Sequence, residues 1–80
     1  HKTVIGPNAR VENCVIDKEV TINRNAGLGR QDGAVTVVGK SAEIPSGIEI
    51  GSGVIIEPEV LPTAFKDQKK IGDGTTVKAI

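Results

Sequence analysis

Aliphatic side chains recur at every sixth position over much of this chain, and the run Val38, Ile44, Ile50, Ile56 keeps this spacing without interruption. A period of six fits neither an α-helix, which repeats every 3.6 residues, nor a single strand, which repeats every two. It is the spacing expected when short strands alternate with tight corners, so that one aliphatic side chain per strand points inward. The pattern therefore predicts an all-β solenoid of parallel strands wound into successive coils.

The positions between the aliphatic residues have the character that tight corners require. Asn or Gly stands three residues after the aliphatic position in five of the repeats. Both residues adopt a positive φ at low cost, which a tight corner needs. The corner positions predicted in this way are Asn8, Cys14, Glu19, Asn25, Ser41, Gly47, Gly53, Glu59 and Gly74.

The repeat is interrupted at two places, so residues 1–80 are predicted to form a single β-helix domain of about four coils, each of about 18 residues. The polar segment 30–34 is expected to be a loop inserted at a corner. Residues 61–70 break the period and are expected to be a loop, a short helical excursion or a linker, and 71–80 a partial terminal coil. The predicted inner ladder consists of Ile5, Val11, Ile16, Ile22, Leu28, Val38, Ile44, Ile50, Ile56 and Ile71.

Composition narrows the partners to be expected. Phe65 is the only aromatic residue, which suits a narrow aliphatic interior and argues against base stacking on nucleic acid. Ten basic and ten acidic residues balance, so electrostatic capture of nucleic acid or a membrane surface is not expected. No apolar run approaches the roughly 20 residues of a membrane span. The single cysteine, Cys14, excludes an internal disulfide and agrees with a reducing compartment, so a cytoplasmic location is expected.

Few side chains in the sequence are suited to catalysis. His1 is the only histidine, and with one cysteine no metal site or histidine base can be assembled. The segment 27–30 (Gly-Leu-Gly-Arg) lacks the third glycine and the following helix of a phosphate loop, and its Leu28 is in phase with the repeat. Asp17 and Lys18 stand at consecutive corner positions, and a solvated ion pair or a turn-stabilising carboxylate is expected there. We predict no catalytic, cofactor-binding or metal-binding residue in this chain.

The repeat resembles the hexapeptide repeat of left-handed parallel β-helices, and the left-handed winding is implied by that resemblance alone. Within the class, residues 4–22 (VIGPNARVENCVIDKEVTI), the strand 35–40 and the element 44–47 (Ile-Pro-Ser-Gly) resemble the C-terminal domain of bacterial glucose-1-phosphate adenylyltransferases. The resemblance covers residues 3–60.

The resemblance implies a structural, oligomerisation and allosteric-regulatory domain of an enzyme of glycogen biosynthesis. Its catalytic domain, which uses Mg²⁺, would lie outside this chain and would be its N-terminal partner, and further copies would form a homo-oligomer. In that family sugar-phosphate or phosphate effectors bind basic residues near the junction of the two domains. Lys40 is the best candidate for such a contact, together with Arg30.

Two alternatives stay open at this point. One is a trimeric hexapeptide-repeat acyltransferase or γ-class carbonic anhydrase, which would need histidines in a segment that precedes His1. The other is a related sugar nucleotidyltransferase, such as a mannose-1-phosphate guanylyltransferase. The basic residues Lys66, Lys69 and Lys70 are interpreted as part of a soluble loop rather than as a binding site.

Overall fold

The computed structural model describes residues 2–79. Regular structure in this range consists of eleven short strands and one 3₁₀ helix, Pro62–Phe65. The strands are β1 (Val4–Ile5), β2 (Arg10–Val11), β3 (Cys14–Ile16), β4 (Thr21–Ile22), β5 (Gly27–Leu28), β6 (Thr36–Val38), β7 (Glu43–Ile44), β8 (Glu49–Ile50), β9 (Ile55–Ile56), β10 (Lys70–Ile71) and β11 (Thr76–Val77).

The strands form three parallel sheets, and each sheet is one side of the solenoid. Face A has the order β1-β4-β7, face B the order β2-β5-β8-β10, and face C the order β3-β6-β9-β11. Successive strands along the chain therefore visit faces A, B and C in turn, and each such circuit is one coil. The result is a β-solenoid of about four coils, as the six-residue period predicts. The left-handed sense of winding stays a prediction from the resemblance.

The strand register stacks the predicted ladder residues above one another, as in the pairs Ile22 with Ile44 and Leu28 with Ile50. Each column lies inside the solenoid because side chains at equivalent positions point the same way in every coil. Seven of the ten predicted ladder residues are buried: Ile22, Leu28, Val38, Ile44, Ile50, Ile56 and Ile71.

The three remaining ladder residues all belong to the first coil. Val11 and Ile16 are partly buried and pack against the core. Ile5 is 53% exposed, so the prediction that it is buried is wrong. Its column is correct, since Ile5 pairs with Ile22. It is exposed because none of the described residues forms a coil on the other side of it.

Corners turn at residues with positive φ. Positive φ also occurs outside the predicted corner positions, at Gly29, Lys66 and Asp67. Eight of the nine predicted corner residues have positive φ; the exception is Cys14, which begins strand β3, and there the turn is made by Asn13 with φ 51°. This corner is one residue shorter than the others, which moves the turn forward. The predicted corner residues with positive φ are Asn8, Glu19, Asn25, Ser41, Gly47, Gly53, Glu59 and Gly74.

The irregular segment after the third coil contains the 3₁₀ helix Pro62–Phe65. It lies between β9 and β10, at the point in the circuit where a fourth strand of face A would stand. Phe65 is 1% exposed and joins the aliphatic core. The one aromatic side chain therefore supplies the apolar volume that a ladder residue supplies in the other coils.

A buried hydroxyl closes the corner next to the inserted loop. Most corners close by a backbone bond, as where the N–H of Ala42 donates to the carbonyl of Gly39 at 3.3 Å. At the corner between Gly51 and Val54, the side chain of Thr36 joins the two residues instead. Its Oγ1 donates to the Gly51 carbonyl at 2.9 Å and accepts from the Val54 N–H at 3.2 Å. Thr36 is fully buried, so water does not replace these bonds.

Thr36→Val is therefore expected to destabilise the fold by about 1–3 kcal/mol, because it leaves a buried donor and a buried acceptor without partners. The isosteric shape of valine keeps the packing volume nearly constant. Urea unfolding measures the change as a shift of the midpoint at constant slope. Thr36→Ser, which keeps the hydroxyl, is the control and should retain more stability than the valine variant. A valine variant as stable as the parent would show that the hydroxyl does not close the corner.

Candidate functional site

Lys40 lies at the corner between faces C and A, two residues after the end of strand β6, and its side chain is exposed. Lys18 lies at the same corner of the preceding coil, because the N–H of Ser41, which follows Lys40, donates to the Lys18 carbonyl at 3.1 Å. The two lysines therefore occupy equivalent places in neighbouring coils, which stack about 4.8 Å apart. Both point into solvent from one edge of the solenoid.

Lys18 escaped the sequence-based selection of candidates, although a signal for it was present. Ile16 and Val38 stand at the same place in the repeat, and each is followed by a lysine two residues later. The structure pairs Ile16 with Val38, so the two lysines share a column. We call Lys18 and Lys40 the lysine corner.

The ammonium groups of the lysine corner take no part in the ion pairs found among residues 2–79, which join Arg10 to Glu12 and Glu49 and Arg30 to Asp73. Asp17 accepts from the backbone N–H of Lys18 at 2.7 Å, which is the turn-stabilising role of the two expected for it. Both lysine side chains are exposed, and the acidic residues Asp17, Glu19 and Glu59 lie in the same stacked corners.

Arg30 lies elsewhere, at the corner between faces B and C. Its guanidinium binds Asp73 with two parallel hydrogen bonds of 2.9 and 2.8 Å, and it donates to Ser52 Oγ at 3.1 Å. These contacts fasten the inserted loop to the fourth coil. The structure therefore does not bring Arg30 and Lys40 together, and Arg30 is occupied by an internal partner.

We call the paired hydrogen bonds between Arg30 and Asp73 the clasp. They favour the charged form of both side chains. The Arg30 hydrogen bonds, followed by a bond from the Ser52 N–H, lower the pKa of Asp73 from its ordinary value of 3.8 to about 2. The same hydrogen bond from the other side raises the pKa of Arg30. A bidentate arginine–carboxylate pair of this kind also fixes orientation, which suits a loop that has no strand of its own.

The segment 27–30 serves packing rather than phosphate binding. Gly27 and Leu28 form β5 and are both buried. A Cβ atom at Gly27 would lie 2.5 Å from Glu49 Oε1 and 2.7 Å from Arg10 Nη2. The glycine therefore leaves room for the ion pair that Arg10 and Glu49 form across face B.

Within residues 2–79 no group of three or more His, Cys, Asp or Glu side chains is placed to hold a metal ion. His1 lies outside the described residues. The Cys14 thiol donates to the Glu12 carbonyl at 3.1 Å, and burial raises its pKa, which favours the protonated thiol. No helix in the described part of the chain is long and apolar enough to cross a membrane.

Two curated relatives match this chain, both named glucose-1-phosphate adenylyltransferase. The enzyme of Thermomicrobium roseum is 40% identical over a 91-residue alignment that covers 98% of the chain and 21% of the enzyme. That of Acetivibrio thermocellus is 33% identical over 75 residues, which cover 79% of the chain and 18% of the enzyme. The chain thus spans about a fifth of the length of these relatives and fits their C-terminal part. The resemblance seen in the sequence is confirmed.

Two further comparisons gave no match. No family model matches the chain. No solved structure matches it significantly.

The clasp predicts a stability change in acid. Because the pKa of Asp73 in the folded protein, about 2, lies below its ordinary 3.8, the clasp contributes stability above about pH 4 that is lost as the pH falls toward 2. Arg30→Gln should return the Asp73 pKa toward its ordinary value, followed by NMR titration of the carboxyl carbon. Lys69→Gln, an exposed change outside the clasp, should leave the titration unaltered. An unchanged Asp73 midpoint in the Arg30 variant would contradict the assignment.

Proposed function

We propose that this chain, which is homologous to the C-terminal part of glucose-1-phosphate adenylyltransferases, is the structural and regulatory β-helix domain of such an enzyme. The observation that carries the proposal is the match over 98% of the chain at 40% identity. The solenoid supports it, since its interior is filled by aliphatic columns.

The parent enzyme would transfer the adenylyl group of ATP to glucose 1-phosphate. An oxygen of the sugar phosphate attacks the α-phosphorus of ATP, pyrophosphate leaves, and ADP-glucose forms for glycogen synthesis. Mg²⁺ bound in an N-terminal catalytic domain would neutralise the phosphates. We assign all of this chemistry to that domain, and to this chain the support of the catalytic domain, the assembly of further copies and the binding of an effector in the cytoplasm.

The lysine corner is the proposed effector contact. Lys18 and Lys40 present two ammonium groups from stacked corners, which matches the doubly charged phosphate of a sugar phosphate or of inorganic phosphate. We no longer propose Arg30 for this contact, because its guanidinium is hydrogen-bonded to Asp73. Lys18 replaces it as the second member of the contact.

The names of the matched relatives favour this function over the two alternatives left open by the sequence. Both relatives are adenylyltransferases that act on glucose 1-phosphate by name, whereas neither is an acyltransferase, a carbonic anhydrase or a guanylyltransferase.

The full-length gene product tests the assignment directly. With Mg²⁺, ATP and glucose 1-phosphate it is expected to release pyrophosphate and form ADP-glucose, followed by a coupled pyrophosphate assay and chromatography of the nucleotide sugar. GTP with mannose 1-phosphate is the matched control and should react at least about tenfold more slowly. Faster turnover of the guanylyl pair would replace the proposed substrate, and no turnover of either pair would overturn the proposed function.

The lysine corner is tested in the same full-length enzyme. Lys40→Ala and Lys18→Ala are each expected to raise the concentration of inorganic phosphate or sugar phosphate needed for half-maximal regulation by roughly tenfold, since a hydrogen bond to a charged group is worth about 1.5–3 kcal/mol. Activity without effector should stay unchanged.

Lys69→Ala is the control, because Lys69 is equally exposed but lies in the segment before β10. An equal loss of effector affinity in all three variants would show that net charge, and not the lysine corner, causes the effect. Unchanged effector affinity in the Lys18 and Lys40 variants would show that the lysine corner does not bind the effector.

A further inference from the structure

The chain contains two Asp-Gly pairs, Asp32-Gly33 in the inserted loop and Asp73-Gly74 at a corner of the fourth coil. In such a pair the backbone nitrogen of the glycine can attack the side-chain carboxyl carbon of the aspartate, because glycine has no Cβ atom to obstruct the approach. Both aspartates are exposed, and the Asp73 side chain retains 53% of its accessible surface. Solvent access therefore does not distinguish the two pairs, whereas their hydrogen bonds do.

In the Asp73-Gly74 pair both reacting groups are held. The Asp73 carboxylate accepts two hydrogen bonds from Arg30, of 2.9 and 2.8 Å, and one from the Ser52 N–H, of 2.9 Å. The Gly74 N–H donates to the Ser52 carbonyl at 3.0 Å, which ties the fourth coil to the third. Attack on the carboxyl carbon would require the carboxylate to leave the clasp and the nitrogen to leave its partner at the same time. The clasp and Ser52 therefore protect this pair.

In the Asp32-Gly33 pair the reacting groups are held weakly. Within residues 2–79 the Asp32 carboxylate takes no part in the side-chain hydrogen bonds or ion pairs. The Gly33 N–H donates to the Arg30 carbonyl at 3.2 Å, the long limit for such a bond, and this turn can open without the movement of any strand. The Gly33 carbonyl accepts from Asn13 Nδ2 at 2.8 Å, but this carbonyl is not a reacting group.

We propose that Asp32-Gly33 is a site of spontaneous covalent modification, the isomerisation of Asp32 to an isoaspartyl residue, and that the clasp protects Asp73-Gly74 from the same reaction. This inference is independent of the proposed function, since it rests on the inserted loop and the corner to which the loop is fastened.

The reaction needs no oxidant, metal or enzyme. The Gly33 nitrogen forms a bond to Cγ of Asp32 and loses its proton, the bond from Cγ to its hydroxyl breaks, and water leaves, so that a cyclic succinimide forms. Water then adds to either carbonyl carbon of the ring. Addition at Cγ restores aspartate. Addition at the main-chain carbonyl carbon leaves the chain linked through Cγ, with the α-carboxyl group free.

The product changes the inserted loop, because Cβ of Asp32 becomes part of the main chain. The turn bond between Gly33 and Arg30 cannot keep its geometry along this longer path. Gly33 lies so close to Ser52 that no space remains there for a Cβ atom. A displaced Gly33 would therefore disturb Ser52, which also donates to Asp73. We expect the modification at Asp32 to loosen the clasp and to precede any modification at Asp73.

Ageing of the full-length gene product at neutral pH tests the proposal. Samples taken over weeks are digested and analysed by mass spectrometry with electron-transfer fragmentation, which distinguishes isoaspartate from aspartate in each peptide. Isoaspartate is expected at position 32 at least about tenfold faster than at position 73, because reaction at Asp73 first requires a local opening that breaks hydrogen bonds to a charged group. No isoaspartate at position 32, or faster formation at position 73, would overturn the proposal.

Two variants separate the clasp from other causes. Arg30→Gln should raise the rate at position 73 at least about tenfold, since it removes the paired hydrogen bonds. Its circular dichroism should match that of the parent, so that the rise reports the clasp and not unfolding. Lys69→Gln, an exposed change outside the clasp, should leave both rates unchanged. An unchanged rate at position 73 in the Arg30 variant would contradict protection by the clasp.

The unfolded chain supplies the last control. In concentrated urea the two pairs of the parent protein should react at similar rates, because the turn, the clasp and the bond between coils are all lost. A preference for position 32 that persists in urea would show that the neighbouring residues, and not the fold, select the site.

Discussion

The constraint on which this structure depends is the in-register stacking of parallel strands from one coil to the next. Backbone hydrogen bonds place Ile22 over Ile5 and Ile44 over Ile22, so a position in the repeat becomes a column in space. An inward position is aliphatic unless its polar group finds hydrogen-bond partners, as the Thr36 hydroxyl does, because an unpaired polar group would be buried among apolar neighbours. Length varies at corners, where the inserted loop lies, and where the segment with the 3₁₀ helix stands in place of a strand of face A. The interior is thereby fixed, and variation is left to the outward columns and the corners.

This constraint explains what the sequence could predict. The period alone identifies the solenoid, the number of coils and the inner columns, since one phase fixes the direction of every side chain. The period also predicts that Lys18 and Lys40 are neighbours, because residues at the same position of the repeat stack in space. Finding this pair requires a comparison of whole columns as well as of individual residues. Asn and Gly located most of the turns for a separate reason, their tolerance of positive φ.

What the sequence could not predict lies where the repeat fails. Ile5 has the residue type and the repeat position of a core residue, but burial also requires a coil on each side. The position in the repeat does not show whether such a coil is present. Arg30 and Asp73 are 43 residues apart and meet because a loop without periodicity folds over two coils. Thr36 stands at an inward position where an aliphatic residue is expected, and the need for its hydroxyl appears only once the corner at Gly51 is seen to lack its backbone bond. For Arg30, Asp73 and Thr36 the missing information is the path of a non-repeating segment, and for Ile5 it is the presence of a neighbouring coil.

The rigidity of the stacked coils also constrains how an effector could act through this domain. A ligand changes an equilibrium only by binding its states with different affinity, and a closely packed solenoid has no second packing to select. An anion held by Lys18 and Lys40 would therefore act through the bodies that meet at the lysine corner and not through deformation of the coils. In the proposed enzyme those bodies would be this domain and the catalytic domain. Coupling of this kind is reciprocal: substrates that favour one relative position of the two domains would tighten effector binding by the same factor.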